Sequence, residues 1–269
     1  MTRILVRPPA PEDVPSWREL GWRAEPDPAL LAEEHERFRT ALADAGAEVL
    51  VAHGEPGNLD SIYVYDPVLV TPHGVILLQP GKRGRRGEPG ALEPDLPLEV
   101  LGRLEGDELA EGGDTVWLDE RTLLVGRTYR TNSAGIEALR RLLSGVDVLA
   151  SPLPHFHGRG EVLHLRSLLS PLTPELVVGY LPLLPVPLVE LLESRAIRVV
   201  EVPAEEFETM GPNVLPLPGN RALALAGNPV TRQRLEAAGI EVVEYDGDEI
   251  SRKGDGGPTC LTLPLDFAR

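Results

Sequence analysis

The chain has 269 residues, 42% hydrophobic and 25% charged, a balance typical of a soluble globular protein, and its formal net charge is −16. That charge argues against general nucleic-acid binding, which needs a basic surface to displace counterions. The longest apolar run, Leu181 to Leu192, holds several prolines and a glutamate and does not suit a membrane span; one cysteine excludes an internal disulfide framework, so a cytoplasmic setting is expected.

The opening Met1-Thr-Arg-Ile-Leu-Val-Arg-Pro-Pro reads as a short strand, Arg3 to Val6, because its apolar stretch is too brief for a signal peptide. Asp27-Pro28 predicts an N-cap followed by proline at the first helical position, with helical apolar spacing from Leu30 to Ala45. Gly46 ends that helix, and Glu48 to Val51 reads as a strand. The same order recurs three times. Asn132 to Leu143, Val186 to Ser194 and the stretch from Asn228-Pro229 to Gly239 read as helices; Val146 to Ala150, Ile197 to Val202 and Glu241 to Tyr245 read as the strands that follow. Hairpins are expected between Ile62–Val70 and Val75–Leu78, between Thr115–Leu118 and Thr122–Val125, and between Val214–Leu217 and Ala222–Leu225. Residues 162–180 fit the pattern less cleanly. A helix near 89–104 is interrupted by Pro94 and Pro97, and the last hairpin needs the N-terminal strand to complete it.

Helix, strand and hairpin repeated about every fifty residues, about five times, predict a closed array of ββαβ-like units around a pseudo-fivefold axis, with 1–269 as a single domain. A doubly wound sheet is the alternative, but no Gly-x-Gly-x-x-Gly follows a first strand. Equivalent points of the units, where each hairpin begins, carry Asp60 and Asp66, Glu111, His164, Asn213 and Cys260. In a closed array such points meet at the axis, so a thiol, an imidazole and carboxylates would converge there.

Each also has a plainer reading. A lone cysteine is usually a small buried apolar residue, although the glycines of Gly254-Asp-Gly-Gly-Pro-Thr-Cys would allow a ligand close to the backbone. His164 would serve equally as a satisfied core histidine, and Glu111 in Glu-Gly-Gly-Asp as a turn acid with Asp114 capping locally. Asp66, in Tyr-Val-Tyr-Asp-Pro, would be costly to bury without a cationic partner. His155-Phe-His157 lacks the further ligands of a metal site, and none is expected. Lys82-Arg83-Gly-Arg85-Arg86 is either a solvated loop or a clamp for a carboxylate.

Five segments together resemble the dimethylarginine dimethylaminohydrolases of the pentein superfamily: Asp60-Ser-Ile-Tyr-Val-Tyr-Asp-Pro, Glu111-Gly-Gly-Asp, Arg130-Thr-Asn, Leu163-His-Leu-Arg and Gly256-Gly-Pro-Thr-Cys, in family order from about residue 58 onward. The resemblance implies an α/β fold, the five-bladed α/β propeller. It also implies Cys260 as nucleophile, His164 as general acid/base, and Glu111 and Asp66 as guanidinium-binding carboxylates. Glu111 counts with Cys260 and His164 in the catalytic set. Asp60 would be a further substrate contact, Arg85 and Arg130 the pair on the substrate's α-carboxylate, and Asn213 structural. Neither cofactor nor metal is implied. The partner would be a small guanidino compound, with a homodimer left open.

Where deiminases and amidinotransferases of the superfamily carry an aspartate, this chain has Arg166, which points to hydrolysis of asymmetric dimethylarginine or monomethylarginine to citrulline and a methylamine through a thiouronium on Cys260. Tyr65 departs from the family, which usually has an acid there. The alternatives are another guanidino-modifying enzyme and a non-catalytic propeller that binds a macromolecule.

Overall fold

A computed structural model describes residues 2–161 and 163–267. Its strands form five separate three-stranded sheets, which removes the doubly wound alternative. The second blade shows the plan. Strands β3 (Val68–Thr71) and β4 (Gly74–Leu77) make an antiparallel hairpin, a helix α2 (Glu88–Leu92) crosses over, and β5 (Val100–Arg103) returns parallel to β4. The third blade repeats it with β6 (Thr115–Asp119), β7 (Thr122–Arg127), α3 (Ser133–Leu142) and β8 (Asp147–Pro152). The fourth uses β9 (Leu169–Thr173), β10 (Leu176–Gly179), α4 (Val186–Ser194) and β11 (Arg198–Glu201), so residues 169–179 form a hairpin whose register shifts between Leu176 and Val177. The fifth uses β12 (Val214–Leu217), β13 (Arg221–Leu225), α5 (Pro229–Ala237) and β14 (Glu241–Tyr245).

The first blade joins the two ends of the chain. Strand β1 (Thr2–Val6) pairs parallel with β2 (Ala47–Val51) across α1 (Pro28–Asp44), and antiparallel with β15 (Leu263–Pro264), where Ile4 faces Pro264. The last hairpin is thus completed by the N-terminal strand.

Side-chain alternation along the middle strands closes the ring. Successive residues of a strand point to opposite faces, so each middle strand feeds two cores. In β7, Leu123 and Val125 pack with Ile76 of the second blade, while Leu124 packs with Val177 of the fourth. In β13, Ala222 and Ala224 pack with Val178 of the fourth blade, and Leu223 and Leu225 with Ile4 and Val6 of the first. Leu5 then joins Val75 and Leu77 of the second blade. Five apolar clusters therefore link five blades in a circle, the five-bladed α/β propeller.

The helix ends follow their local chemistry. Asp27 Oδ1 accepts from the N–H groups of Ala29 and Leu30 at 2.8 and 3.0 Å, and Asn132 Oδ1 accepts from Gly135 N–H at 2.8 Å. At α5 the expected cap is replaced: the carboxylate of Glu206 accepts from Val230 and Thr231 N–H, each at 2.7 Å, while Asn228 bonds neighbouring carbonyls. Helix α2 is cut to five residues, because Pro94 starts a 3-10 turn at Glu93–Asp95. The strand expected over Ile62–Val70 is present only from Val68. A 3-10 turn at Leu59–Ile62 and a bend after it carry the chain round to place Asp66.

Candidate active site

Asp66, Glu111, His164, Asn213 and Cys260 each stand within five residues of the first strand of a different blade. All five, with Asp60, line one cavity of about 590 Å³. The expected convergence is therefore found. The residues occupy turns just before the strands, where side chains are free to point along the axis.

Neighbouring turns are clamped together. Asp66 carbonyl oxygen accepts from Gly112 N–H at 2.9 Å, and its Oδ1 from Gly113 N–H at 2.8 Å. A Cβ on Gly113 would lie 2.5 Å from His164 Nδ1 and 2.9 Å from Asp66 Oδ1, so only glycine lets these groups close up. Glu111 is fully buried. Its Oε1 accepts from Lys82 N–H and from Arg130 Nη1, both at 3.1 Å, and Oε2 meets His164 Nε2 at 2.8 Å. Asp114 is buried rather than a local cap: it accepts from Thr128 Oγ1 at 2.6 Å and from Leu165 N–H at 3.2 Å, tying the third blade to the histidine turn.

These carboxylates set the charge of the imidazole. Burial alone would favour neutral His164, but Asp114, Asp66 and Glu111 outweigh it and raise its pKa from 6.5 to about 9. Glu111 is driven the other way: burial opposes ionisation, but His164 and Arg130 hold it well below the usual carboxylate range. Asp114 is raised to about 6, mainly by burial, and is still mostly ionised at neutral pH.

Cys260 is half-buried among different partners. Its N–H donates to Gly257 carbonyl oxygen at 3.0 Å, its carbonyl accepts from Tyr65 N–H at 3.3 Å, and Asn213 Nδ2 lies 3.8 Å from Sγ. Asn213 Oδ1 also accepts from Thr259 N–H and Oγ1, at 3.1 and 3.0 Å, and so braces the cysteine turn. Burial first, and the charge of Asp66 second, push the thiol up to about 11. The glycines before it give close approach to protein rather than to a ligand alone. A Cβ on Gly256 would strike the Tyr63 ring, and one on Gly257 the Asn213 side chain.

Two residues expected at the substrate already carry protein partners. Arg85 is only 3% exposed and heavily engaged: Nη1 pairs with Asp66, Nε and Nη2 reach Glu88 at 2.8 Å, and Nη2 reaches Tyr63 carbonyl oxygen at 2.9 Å. Freeing one partner of a buried ion set costs about 3–5 kcal/mol. A hydrogen bond to a new carboxylate returns about 1.5–3 kcal/mol. Arg85 thus anchors Asp66, and it also lines the cavity with one Nη1 N–H left over. Asp60, expected to touch substrate, is largely engaged as well. Its Oδ1 accepts from Trp22 Nε1 at 2.8 Å, and Oδ2 pairs with Lys82, whose ammonium also meets Leu20 carbonyl oxygen. Arg130, half-buried, reaches Glu111 and keeps its remaining N–H groups for the cavity.

Arg166 and Tyr65 meet: the guanidinium lies 4.5 Å over the ring, and Nε donates to Thr115 carbonyl oxygen at 3.2 Å. Asp114, Glu88 and Trp22 were not singled out from sequence for these roles. For Asp114 the signal was an acid directly after Gly112-Gly113; the other two carry no local signal.

Asp66, Glu111 and His164 also have one ligand atom each within 4.8 Å of one another, a spacing compatible with a metal ion. Their facing lone pairs are largely taken by Arg85, Arg130 and backbone N–H groups, which suits a cation with N–H donors better than a bare ion. His155, part of the pair read as an unconvincing metal site, has its Nδ1 2.7 Å from Tyr129 Oη.

A family model described as N,N dimethylarginine dimethylhydrolase, eukaryotic, matches residues 23–267. The chain belongs to the dimethylarginine dimethylaminohydrolase family. It is 31% identical to the N(G),N(G)-dimethylarginine dimethylaminohydrolase of Streptomyces coelicolor over 98% of this chain and 96% of that one. A cysteine-to-serine mutant of the Pseudomonas aeruginosa family member, complexed with citrulline, superposes with a TM-score of 0.79 at 27% identity, covering 97% and 98% of the two chains. The N-terminal domain of ArgZ, an arginine dihydrolase of cyanobacteria, superposes at 0.83 over 98% and 97%; its 20% identity speaks for the fold alone. This family member is therefore a pentein hydrolase of guanidino carbon–nitrogen bonds. Among the described residues no helix is long and apolar enough to cross a membrane.

Proposed function

We propose that the enzyme hydrolyses an Nω-methylated arginine, asymmetric dimethylarginine or monomethylarginine, to citrulline and a methylamine, with Cys260 as nucleophile and His164 as general acid and base. One observation carries the choice of a substituted nitrogen. Asp66 and Glu111 offer carboxylates to one part of the guanidinium, whereas the position two residues after His164 holds a cation, Arg166, stacked on Tyr65. A free guanidinium has N–H donors on every side and would need a further acceptor there. A methylated nitrogen has fewer donors to satisfy. The Pseudomonas aeruginosa relative, crystallised with citrulline after loss of a cysteine, supports the same product and nucleophile class.

The groups act in order. At neutral pH His164 is imidazolium and Cys260 a thiol. A guanidinium seated against Asp66 and Glu111 brings positive charge beside the sulfur, and the thiol loses its proton to solvent. The thiolate adds to the guanidino carbon. As the carbon–nitrogen bond breaks, His164 gives its proton to the departing methylamine, leaving a thiouronium on Cys260. Neutral His164 then takes a proton from water, hydroxide adds to the carbon, and the carbon–sulfur bond breaks to release thiolate and the ureido product, whose hydroxyl proton passes to solvent. Asp66 and Glu111 prevent rotation of the bound plane throughout.

The test is citrulline release from asymmetric dimethylarginine, monomethylarginine and arginine, with Cys260→Ser alongside. Turnover of a methylated compound, absent in the variant, is expected. Citrulline from arginine alone would return the enzyme to the deiminase reading.

A further inference from the structure

Glu88, the first residue of α2, lies behind the cavity wall and takes no step in the chemistry above; it is only 2% exposed. Both of its oxygens are given to one guanidinium. Oε1 accepts from Arg85 Nε and Oε2 from Arg85 Nη2, each at 2.8 Å. Asn58 Nδ2 adds a bond to Oε1 at 3.2 Å and also reaches Glu55 Oε2 at 2.9 Å. Two parallel bonds between a carboxylate and a guanidinium fix the plane of both. With Nε and Nη2 held by Glu88, Nη1 is turned toward Asp66 and the cavity.

The ion pairs around Arg85 form one connected set. Lys82 pairs with Asp60, and Arg85 reaches Asp60 Oδ2 at 3.8 Å, Asp66, and Glu88. Three carboxylates thus meet two cations, and the set carries one surplus negative charge while Glu88 is ionised. A neutral side chain at position 88 would leave it balanced, with the charge of Arg85 turned on Asp66 and the cavity. The charged groups that face Glu88 are Arg85, Asp60 and Asp66, with Glu55 across the Asn58 amide. Burial pushes its carboxyl up, Arg85 pulls it down, and Asp60 and Asp66 push it up again, to about 7.

We propose that Glu88 is a positioning residue that acts through Arg85: it keeps Asp66 turned to the cavity and supplies the negative charge that lets the site prefer a guanidinium to its neutral ureido counterpart. This rests on the functional reading above. Substrate and ureido product share a shape and a tail, and they differ in charge at the end that meets Asp66. The surplus charge therefore holds the cation and lets the neutral product go. A bound cation favours the ionised form of Glu88, so affinity for it is full above about 7 and falls as Glu88 takes up a proton below.

The test measures the dissociation constants of monomethylarginine and citrulline by calorimetry in the Cys260→Ser protein, which has no thiol to titrate. On the alkaline side of about 7, adding Glu88→Gln should weaken the cation by about 10- to 100-fold, the effect of one nearby charge on an ionised partner. Citrulline should bind nearly as before. Glu88→Asp, which keeps the charge, should restore the difference between the two ligands. With Glu88 in place, the cation should also bind more weakly as pH falls through about 7, and citrulline should not. Equal losses for both ligands in Glu88→Gln would make Glu88 a structural brace and overturn the proposal, as would an unchanged affinity for the cation. Should Glu88→Gln not fold, the pH series decides: a ratio of the two constants that stays flat through 7 overturns it. If the Cys260→Ser protein binds no guanidino compound, the functional reading fails instead. Alkylation of an intact Cys260 then carries the test: its preference for a cationic haloacetamidine over iodoacetamide should shrink in Glu88→Gln, and an unchanged preference overturns the proposal.

Discussion

Blades two and three deliver Asp66 and Glu111 with both oxygens of each carboxylate already bonded, whereas blade one delivers Cys260 with only weak polar contacts to its sulfur, Asn213 Nδ2 lying at 3.8 Å. The acid side is built before substrate arrives. Arg85, Arg130 and the backbone hold the carboxylates ionised and oriented, and the carboxylates hold His164 protonated. The thiol side is left in its unreactive form, pushed up to about 11 by burial and by Asp66. The difference teaches how a buried thiol is kept quiet: the built-in cations Arg85 and Arg130 are spent on the carboxylates, and in the proposed mechanism a further cation beside the sulfur makes the thiolate favourable.

The comparison breaks first if the imidazole is dispensable. His164→Asn should lower kcat by about 10²- to 10⁴-fold, the usual worth of a positioned acid and base, as measured by steady-state product release. A loss under tenfold would mean that another group moves the protons. The same variant has a stability signature. The folded-state pKa of His164 is raised above its ordinary 6.5, so its stabilising contribution is complete below about 6.5 and is lost as pH rises through 9. Unfolding midpoints of wild type should fall over that window, and those of the variant should fall less.

A smaller effect tests the thiol side. Cys260 should react with a cationic haloacetamidine at least about tenfold faster than with neutral iodoacetamide at pH 7, because only the first brings charge beside the sulfur. Equal rates, followed by mass spectrometry, would show a thiolate present without substrate.

The smallest effect concerns Asp114, which touches neither sulfur nor the expected substrate position. Asp114→Asn removes one of the charges that raise His164, so its pKa should move down from about 9 toward 6.5. In the proposed mechanism the acid form of His164 protonates the leaving amine, so the alkaline limb of the kcat profile should shift to lower pH. A purely structural role would lower the whole profile without moving that limb.

The sequence alone determined the repeat and the chemistry available to it. Alternation along the strands, Asp27-Pro28, Asn132 and the glycines after the helices are local signals with local causes, and they located most elements within a few residues. The fifty-residue spacing of Asp60, Glu111, His164, Asn213 and Cys260 predicted a meeting that the closed ring delivers. Only the tertiary structure decided how charges pair across blades. That Arg85 is tied to Glu88 and Asp66 has no local signal, and Asp114 reads like a turn cap until Thr128 and Leu165 close over it. Glu206 reaches α5 from 24 residues upstream of Val230. The reason is physical. Backbone geometry depends on a residue and its near neighbours, whereas the worth of a buried charge depends on groups far along the chain that desolvate or neutralise it.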